Sequence, residues 1–309
     1  MKTNITSNLE PLPRALFTLL LGIAAVATLW VSPRAVEGMI LVGNYSGNTV
    51  GEYNLDGTTV NASLITGLHG PLGIAVSGGN VFVANYDSGT VGKYNLDGTT
   101  VNASLITGLT TPAGIAVSGG NVFVVNTGGT IGKYNLDGTT VNASLITGLS
   151  FPWGIEAFGT SLLVADRGTG KIGEYNLDGT TVNAALVSGL NTPIDVTVSG
   201  TDMFVVSHNG GTIGKYTTSG ATVNAALVTG LNYPAGLAVS GTNLFVTQWN
   251  AASVGEYTTS GAMVNDPLIT GLSSPSDIVV LPVPEPTTWT LLAAGIGLLS
   301  TLRRRKLKV

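Results

Sequence analysis

A tyrosine-centred stretch recurs six times along the chain at an almost constant interval. The register is marked by Tyr53, Tyr94, Tyr134, Tyr175, Tyr216 and Tyr257. The spacings between them are 41, 40, 41, 41 and 41 residues. A fixed period of this size indicates repeated supersecondary units, such as the blades of a propeller, and not one irregular core. The repeats occupy residues 39–282, and the two ends of the chain differ from them in composition.

Each repeat predicts four short strands joined by tight turns. In the second repeat the predicted strands span 71–77, 80–85, 90–95 and 103–107. Gly78-Gly79 and Asp97-Gly98 are hairpin signals, because such turns require positive φ, and hairpin-linked strands are antiparallel neighbours. The segment 80–85 is apolar at consecutive positions, as expected for a sheet covered on both faces. Four-stranded sheets of about 40 residues each, buried on both faces, are typical of propeller blades.

The two ends of the repeat region predict how the ring closes. The chain enters with a second strand, 39–44, and leaves with a lone inner strand, 275–281. Pairing them completes a sixth blade, whereas an open array would leave both sheet edges exposed. The sequence therefore predicts an all-β, six-bladed β-propeller of four-stranded antiparallel blades over 39–282, flanked by a hydrophobic helix at each end.

The repeat motif also resembles known families. Val81-Phe82-Val83-Ala84-Asn85-Tyr86, followed by Gly89-Thr90-Val91 and Tyr94, is similar to the NHL repeat and to the YVTN repeat of bacterial surface propellers. The resemblance covers all six repeats and implies the propeller fold. The arginine that NHL repeats often carry before the third strand is missing, because threonine stands at 90, 130 and 212 and lysine at 171.

Composition and charge narrow the classes of partner. The chain contains no cysteine, which excludes disulfides and thiolate metal sites. Residues 39–283 carry 14 acidic and five basic side chains, a net charge of −9. A surface of this sign repels phosphate backbones, so we expect no nucleic-acid partner.

Residues 1–38 are typical of a secretory signal peptide. Lys2 and Arg14 precede an apolar run over 15–30, which is long enough for a signal-peptide core and short for a membrane span. No clear cleavage site follows the run. An uncleaved N-terminal anchor is the alternative.

Residues 283–309 contain three elements in a fixed order. Pro284-Glu285-Pro286 is followed by an apolar run over 289–302 and then by the basic cluster Arg303, Arg304 and Arg305. This segment resembles the PEP-CTERM sorting tail of exosortase substrates; an ordinary C-terminal anchor is the alternative. The resemblance implies a Gram-negative bacterium, export across the inner membrane, and delivery to the cell envelope, surface, medium or biofilm matrix. The implied partners are an exosortase, the secretion machinery and, transiently, the membrane.

One rim of the predicted propeller varies between repeats, whereas the other repeats Asn-Leu-Asp-Gly-Thr-Thr four times. Because function accumulates on loops held by a rigid scaffold, the varied rim is a candidate binding face. Drift at tolerant loop positions is the alternative. The candidate residues are Tyr45, Tyr86, Trp153, Arg167, His208, Tyr233 and Trp249.

Three carboxylates interrupt the pattern of the inner strands. Asp195 and Asp277 replace the usual glycine, and Glu156 stands two positions further along its strand. Their shared parity predicts that they converge at the mouth of the central channel, where they could bind a divalent cation. Gluconolactonase-type propellers, which the fold resembles, hold a metal there. The alternative is that each carboxylate accepts hydrogen bonds from nearby amides.

Other motifs give weaker signals. His69 and His208 lie on different repeats, and no paired-histidine motif of the kind that virginiamycin B lyase-like propellers use is present. The Asp-Gly sequences are explained by turn chemistry better than by calcium. The sequence thus favours a non-enzymatic binding or scaffolding propeller without a cofactor, with a polysaccharide or surface protein as partner. The alternative is a metal-dependent lactonase or lyase.

Overall fold

The computed structural model describes residues 38–281, and the following statements concern that part of the chain. It contains 24 strands in six sheets of four, and all paired strands are antiparallel. The predicted six-bladed propeller is confirmed. No helix in this part of the chain is long and apolar enough to cross a membrane. The predicted signal peptide, sorting tail and flanking hydrophobic helices lie outside the described residues.

From the channel outward, each blade has an inner, a second, a third and an outer strand. The inner strands are β4 (Pro71–Ser77), β8 (Pro112–Ser118), β12 (Pro152–Phe158), β16 (Pro193–Ser199), β20 (Pro234–Ser240) and β24 (Pro275–Leu281). The second strands are β1 (Met39–Asn44), β5 (Asn80–Asn85), β9 (Asn121–Asn126), β13 (Ser161–Asp166), β17 (Asp202–Ser207) and β21 (Asn243–Gln248). The third strands are β2 (Thr49–Asn54), β6 (Thr90–Asn95), β10 (Thr130–Asn135), β14 (Lys171–Asn176), β18 (Thr212–Thr217) and β22 (Ser253–Thr258). The outer strands are β3 (Thr59–Ile65), β7 (Thr100–Ile106), β11 (Thr140–Ile146), β15 (Thr181–Val187), β19 (Thr222–Val228) and β23 (Met263–Ile269).

The inner, second and third strands of the second blade have the predicted bounds, but its outer strand does not. β7 begins at Thr100, three residues before the predicted start, because Thr100 already pairs with Tyr94 of β6. A register shift follows, and inside it the amide of Ser104 donates to Asn102 Oδ1. The first half of the strand is exposed, so no buried alternation marked it in the sequence.

Strand β24 closes the ring as predicted. It pairs antiparallel with β1, from Met39 opposite Leu281 to Asn44 opposite Pro275. The Ser276 hydroxyl donates to the carbonyl of Pro71 at 2.7 Å, which ties the closing strand to the second blade as well. The first blade, β24-β1-β2-β3, therefore contains both ends of the propeller.

The core lies between blades. Each second strand is apolar on both faces: in β5, Val81, Phe82, Val83 and Ala84 are all buried. Phe82 and Ala84 pack with the third blade, whereas Val81 and Val83 pack with the first. Successive side chains on a strand point to opposite faces, so one strand serves two interfaces.

Lysines on three third strands add polar links between blades. Lys133 lies over the Phe123 ring, with Nζ 5.5 Å from the ring centroid, and donates to the carbonyl of Leu177 in the next blade at 3.1 Å. Lys93 makes the equivalent contacts with Phe82 and with the carbonyl of Leu136. These bonds satisfy carbonyls in the neighbouring turns and fix the relative positions of adjacent blades.

Candidate functional site

The six inner strands surround a central cavity of about 270 Å³. The cavity is narrow because the backbones of neighbouring inner strands approach closely. A Cβ atom at Gly114 would lie only 2.4 Å from the carbonyl oxygen of Trp153 on the next inner strand, so glycine is required there. Four of the six strands keep this glycine, whereas β16 and β24 carry Asp195 and Asp277.

The two aspartates join neighbouring inner strands. Asp195 Oδ2 accepts the amide of Leu237 on β20 at 2.8 Å, and Oδ1 accepts the amide of Val196 at 2.9 Å. Asp277 Oδ2 accepts the amide of Ile74 on β4 at 2.7 Å, and Oδ1 accepts the amide of Ile278 at 2.8 Å. Each carboxylate therefore bonds amides on two blades, which agrees with the hydrogen-bonding alternative considered for them.

Glu156 lies on β12 and lines the same cavity. Its carboxylate accepts no hydrogen bond from any residue between 38 and 281. Burial raises its pKa to about 7, and the Asp277 carboxylate adds to the rise. Burial also raises the pKa of Asp277 to about 6, although two amide hydrogen bonds oppose the rise. The pKa of Asp195 lies well above its ordinary value for the same main reason. The structure thus brings the three predicted carboxylates into one cavity.

This arrangement does not form a ready metal centre. Within the described range, no group of three His, Cys, Asp or Glu side chains is placed so that it could hold a metal ion. Asp195 and Asp277 already use both carboxylate oxygens for amides. A hard cation needs several oxygen ligands around one point, and these hydrogen bonds compete with a cation for two of the three carboxylates. The divalent cation expected at the channel mouth stays a prediction.

Five aromatic side chains form a continuous row at the mouth where the inner strands begin. We call Trp249, Tyr45, Tyr86, Trp153 and Phe151 the aromatic row. Successive ring centroids along it are 5.2, 6.5, 6.2 and 5.7 Å apart. Such spacings are typical of interacting aromatic pairs. Rings from the sixth, first, second and fourth blades thus form one surface.

The row passes the third blade because that blade carries small side chains. In the third blade, Thr127 takes the position that Tyr86 has in the second blade, and Ala113 takes the position that Trp153 has in the fourth. The gap allows Trp153 of the fourth blade to reach Tyr86 of the second. Trp153 also lines the central cavity, so the row covers part of its mouth.

Arg167 lies at one end of the aromatic row. Its guanidinium carbon is 5.1 Å from the centroid of Trp153 and 5.5 Å from that of Phe151, within the range of cation–π contacts. Further along the row, the Tyr45 hydroxyl donates to Asp87 Oδ1 at 3.0 Å. Asp87 belongs to no sequence motif that would mark it, although it is the only acidic residue in the six loops between the second and third strands.

His208 and Tyr233 form a separate pair. Their ring centroids are 5.1 Å apart, and His208 Nδ1–H donates to the carbonyl of Pro234 at 2.8 Å. Burial lowers the pKa of His208; the bond to Pro234 opposes this effect, and Arg167 adds a smaller lowering. His69 is exposed on the second blade. Of the seven predicted face residues, five therefore lie together and two lie apart.

The Asp-Gly turns lie on the opposite rim and need no metal. Asp56 Oδ1 accepts the amide of Thr58 at 2.9 Å and its hydroxyl at 2.6 Å. These bonds hold the pKa of Asp56 below its ordinary value. Asp97, Asp137 and Asp178 make the same contacts with the threonines two residues on. Turn chemistry accounts for all four.

Comparison with known proteins identifies the sequence family. Residues 34–297 match the model of the virginiamycin B lyase family. No curated protein sequence matches the chain.

Solved structures share the fold at low sequence identity. A nidogen/laminin complex contains a chain with a TM-score of 0.67 and 19% identity, and the match covers 80% of this chain and 99% of that one. A streptogramin B lyase structure has a TM-score of 0.58 and 20% identity, over 74% of this chain and 78% of that one. A catalytically inactive virginiamycin B lyase from Staphylococcus aureus with quinupristin has a TM-score of 0.54 and 18% identity, over 82% of this chain and 87% of that one. These similarities concern the fold alone.

Proposed function

This chain belongs to the virginiamycin B lyase family, and from that premise we propose that it is an exported binding propeller whose ligand docks on the aromatic row. The observation that carries the proposal is the contact of five rings from four blades on one rim. Surface aromatics are normally scattered singly, so a connected row is unusual. Such a row offers flat apolar area with polar edges, which suits sugar rings. The proposed ligand is an extracellular polysaccharide.

Two single substitutions test the row. Trp153→Ala and Tyr86→Ala should each weaken retention on the polysaccharide of the producing cell by about tenfold, because buried aromatic anchors dominate interfaces. Retention is measured by affinity electrophoresis in gels that contain the isolated polysaccharide.

Phe158→Ala provides the matched control. Phe158 is an exposed aromatic on the same inner strand as Trp153, but it lies at the opposite rim. Its loss should leave retention unchanged. If the Trp153 and Phe158 variants are retained equally, the row is not the binding site.

A lyase or lactonase function is the second candidate, and Glu156 favours it. A carboxylate with a pKa of about 7 suits a general base at neutral pH, and the sequence family includes lyases by name. The geometry supports this candidate less well. Among residues 38–281, no histidine lines the cavity beside Glu156, and no group of three potential ligands could hold a metal ion. The cavity is also lined by Trp153, which belongs to the proposed binding row.

We further propose that residues 283–309 act as a sorting tail that is removed after export. The two prolines at 284 and 286 disfavour a helix around Glu285, a short apolar run follows, and an arginine cluster such as that at 303–305 favours the cytoplasmic side of a membrane. Intact-mass measurement of the exported protein should show a product that ends near Pro286. Replacing the three residues 284–286 with alanine should leave the uncut protein in the membrane fraction. A mature protein that retains the arginine cluster in cells with a working exosortase would contradict the proposal.

A further inference from the structure

We infer that the mouth selects an acidic polysaccharide, with Arg167 binding a sugar carboxylate while the aromatic row stacks on the sugar rings. This inference rests on the proposed binding function and adds the chemical class of the ligand.

The loops on this rim carry almost no charge. Between the second and third strands, and between each outer strand and the next inner strand, the only acidic residue is Asp87 and the only basic residue besides the histidines is Arg167. Asp87 is engaged by the Tyr45 hydroxyl. Apart from the histidines, Arg167 is therefore the only cation of these loops. Because the net charge of −9 on the domain repels polyanions as a whole, an acidic ligand is attracted only locally, at this side chain.

Arg167 is held in place and keeps its donors free. The ring centroids of Trp153 and Phe151 lie 5.1 and 5.5 Å from its guanidinium carbon. Among residues 38–281 the guanidinium makes no hydrogen bond or ion pair; the one salt bridge in that range joins Lys215 and Asp202. Its neighbour Asp166 is already occupied, since Oδ1 accepts the amide of Ser150 and Oδ2 accepts the hydroxyl of Thr169.

The chemistry of these groups defines the ligand. A guanidinium has five donors in a planar fork that fits a carboxylate with two parallel hydrogen bonds. Contact with two rings restrains the guanidinium before any ligand arrives, which lowers the entropy cost of binding. The adjoining row of rings suits a chain of sugar units. A uronic-acid polysaccharide combines both features, because its sugar rings carry carboxylates.

The experiment compares each uronate with its own neutral ester. Polygalacturonate and alginate oligosaccharides, and their fully methyl-esterified forms, are titrated into the protein by calorimetry at low salt. The ester keeps the ring and the linkage but removes the charge. We expect the free acid to bind about tenfold more tightly than the ester, as a charge-assisted hydrogen-bond pair provides. Arg167→Gln should reduce that ratio to about one.

Two variants separate the explanations. Lys171→Gln removes the same charge from the start of the third strand of the same blade and should keep the preference for acid. Trp153→Ala should weaken both forms. Equal affinity of the wild type for acid and ester would overturn the inference and leave the binding function standing. If no uronate binds while the producing cell's polysaccharide is retained, the ligand is not a uronic-acid polysaccharide. The inference then fails, and the binding function stands. If neither binds, the binding function fails with it.

Discussion

A chain that ends at Ser274 is expected to lose its cooperative unfolding transition, whereas a chain that ends at Leu281 should keep it. The shorter chain lacks β24, which pairs with β1 along its whole length. It also loses the buried Ile278, the hydrogen bond that Asp277 accepts from Ile74, and the one that Ser276 donates to Pro71 of the second blade. Ile278→Ala alone should cost about 3 kcal/mol, as for other large-to-small core changes, and domains of this kind are stable by only about 5–15 kcal/mol.

Thermal unfolding followed by circular dichroism distinguishes the two chains. Ile278→Ala in the longer chain serves as a graded comparison, because it weakens the closing strand without removing it. An unchanged melting temperature in the chain that ends at Ser274 would show that closure by β24 does not hold the ring together.

The propeller is expected to become more stable as the pH falls from 8 to 5. Burial raises the pKa of Glu156 from 4.5 to about 7, so the folded protein binds this proton more tightly than the unfolded chain. Stability is therefore gained as the pH falls through about 7, and the gain is complete below 4.5. The difference corresponds to about 3 kcal/mol. Asp277, with a pKa of about 6, acts in the same direction.

Glu156→Gln should remove most of this dependence. The amide cannot ionise, so the variant should exceed the wild type in stability at pH 8 and match it near pH 5. Urea unfolding at several pH values gives the comparison. Glu174→Gln is the control, because that carboxylate lies on β14 and accepts the Ser161 hydroxyl. A wild type whose stability is unchanged from pH 8 to 5 would contradict the role given to Glu156.

Below about pH 4 the opposite trend should appear. Folding lowers the pKa of the four turn aspartates. Their contribution to the stability of the folded state is therefore present above pH 3.8, their ordinary pKa, and is lost as the pH falls through their lower pKa in the folded protein.

The blades were predictable because each carries the same local signals. The tyrosine register and the apolar second strand occur in every repeat, the Asp-Gly turn occurs in four of the six, and the Gly-Gly turn occurs in two, with Gly-Thr in its place in three others. The missing first inner strand predicted closure. The shared parity of Asp195, Asp277 and Glu156 also predicted that they meet in one cavity, since alternation along a strand is a local rule.

The contacts across blades could not be predicted in the same way. Trp153 reaches Tyr86 only because the intervening blade carries Thr127 and Ala113, and no spacing within one repeat encodes that gap. Asp195 and Asp277 each accept one hydrogen bond from an amide on another strand, about 40 and 200 positions away respectively. Phe151 joins the row although nothing in its own loop distinguishes it from Tyr233, which pairs with His208 instead.

The pairing of β24 with β1 has a further consequence for presentation. Met39 and Leu281 are opposite each other on the rim of the hairpin turns, and the aromatic row lies on the other rim. The first and last strands of the ring thus place Met39 and Leu281 side by side on the rim opposite the aromatic row. A support attached at Met39 or at Leu281 would therefore leave the rim that carries the aromatic row facing away from the attachment.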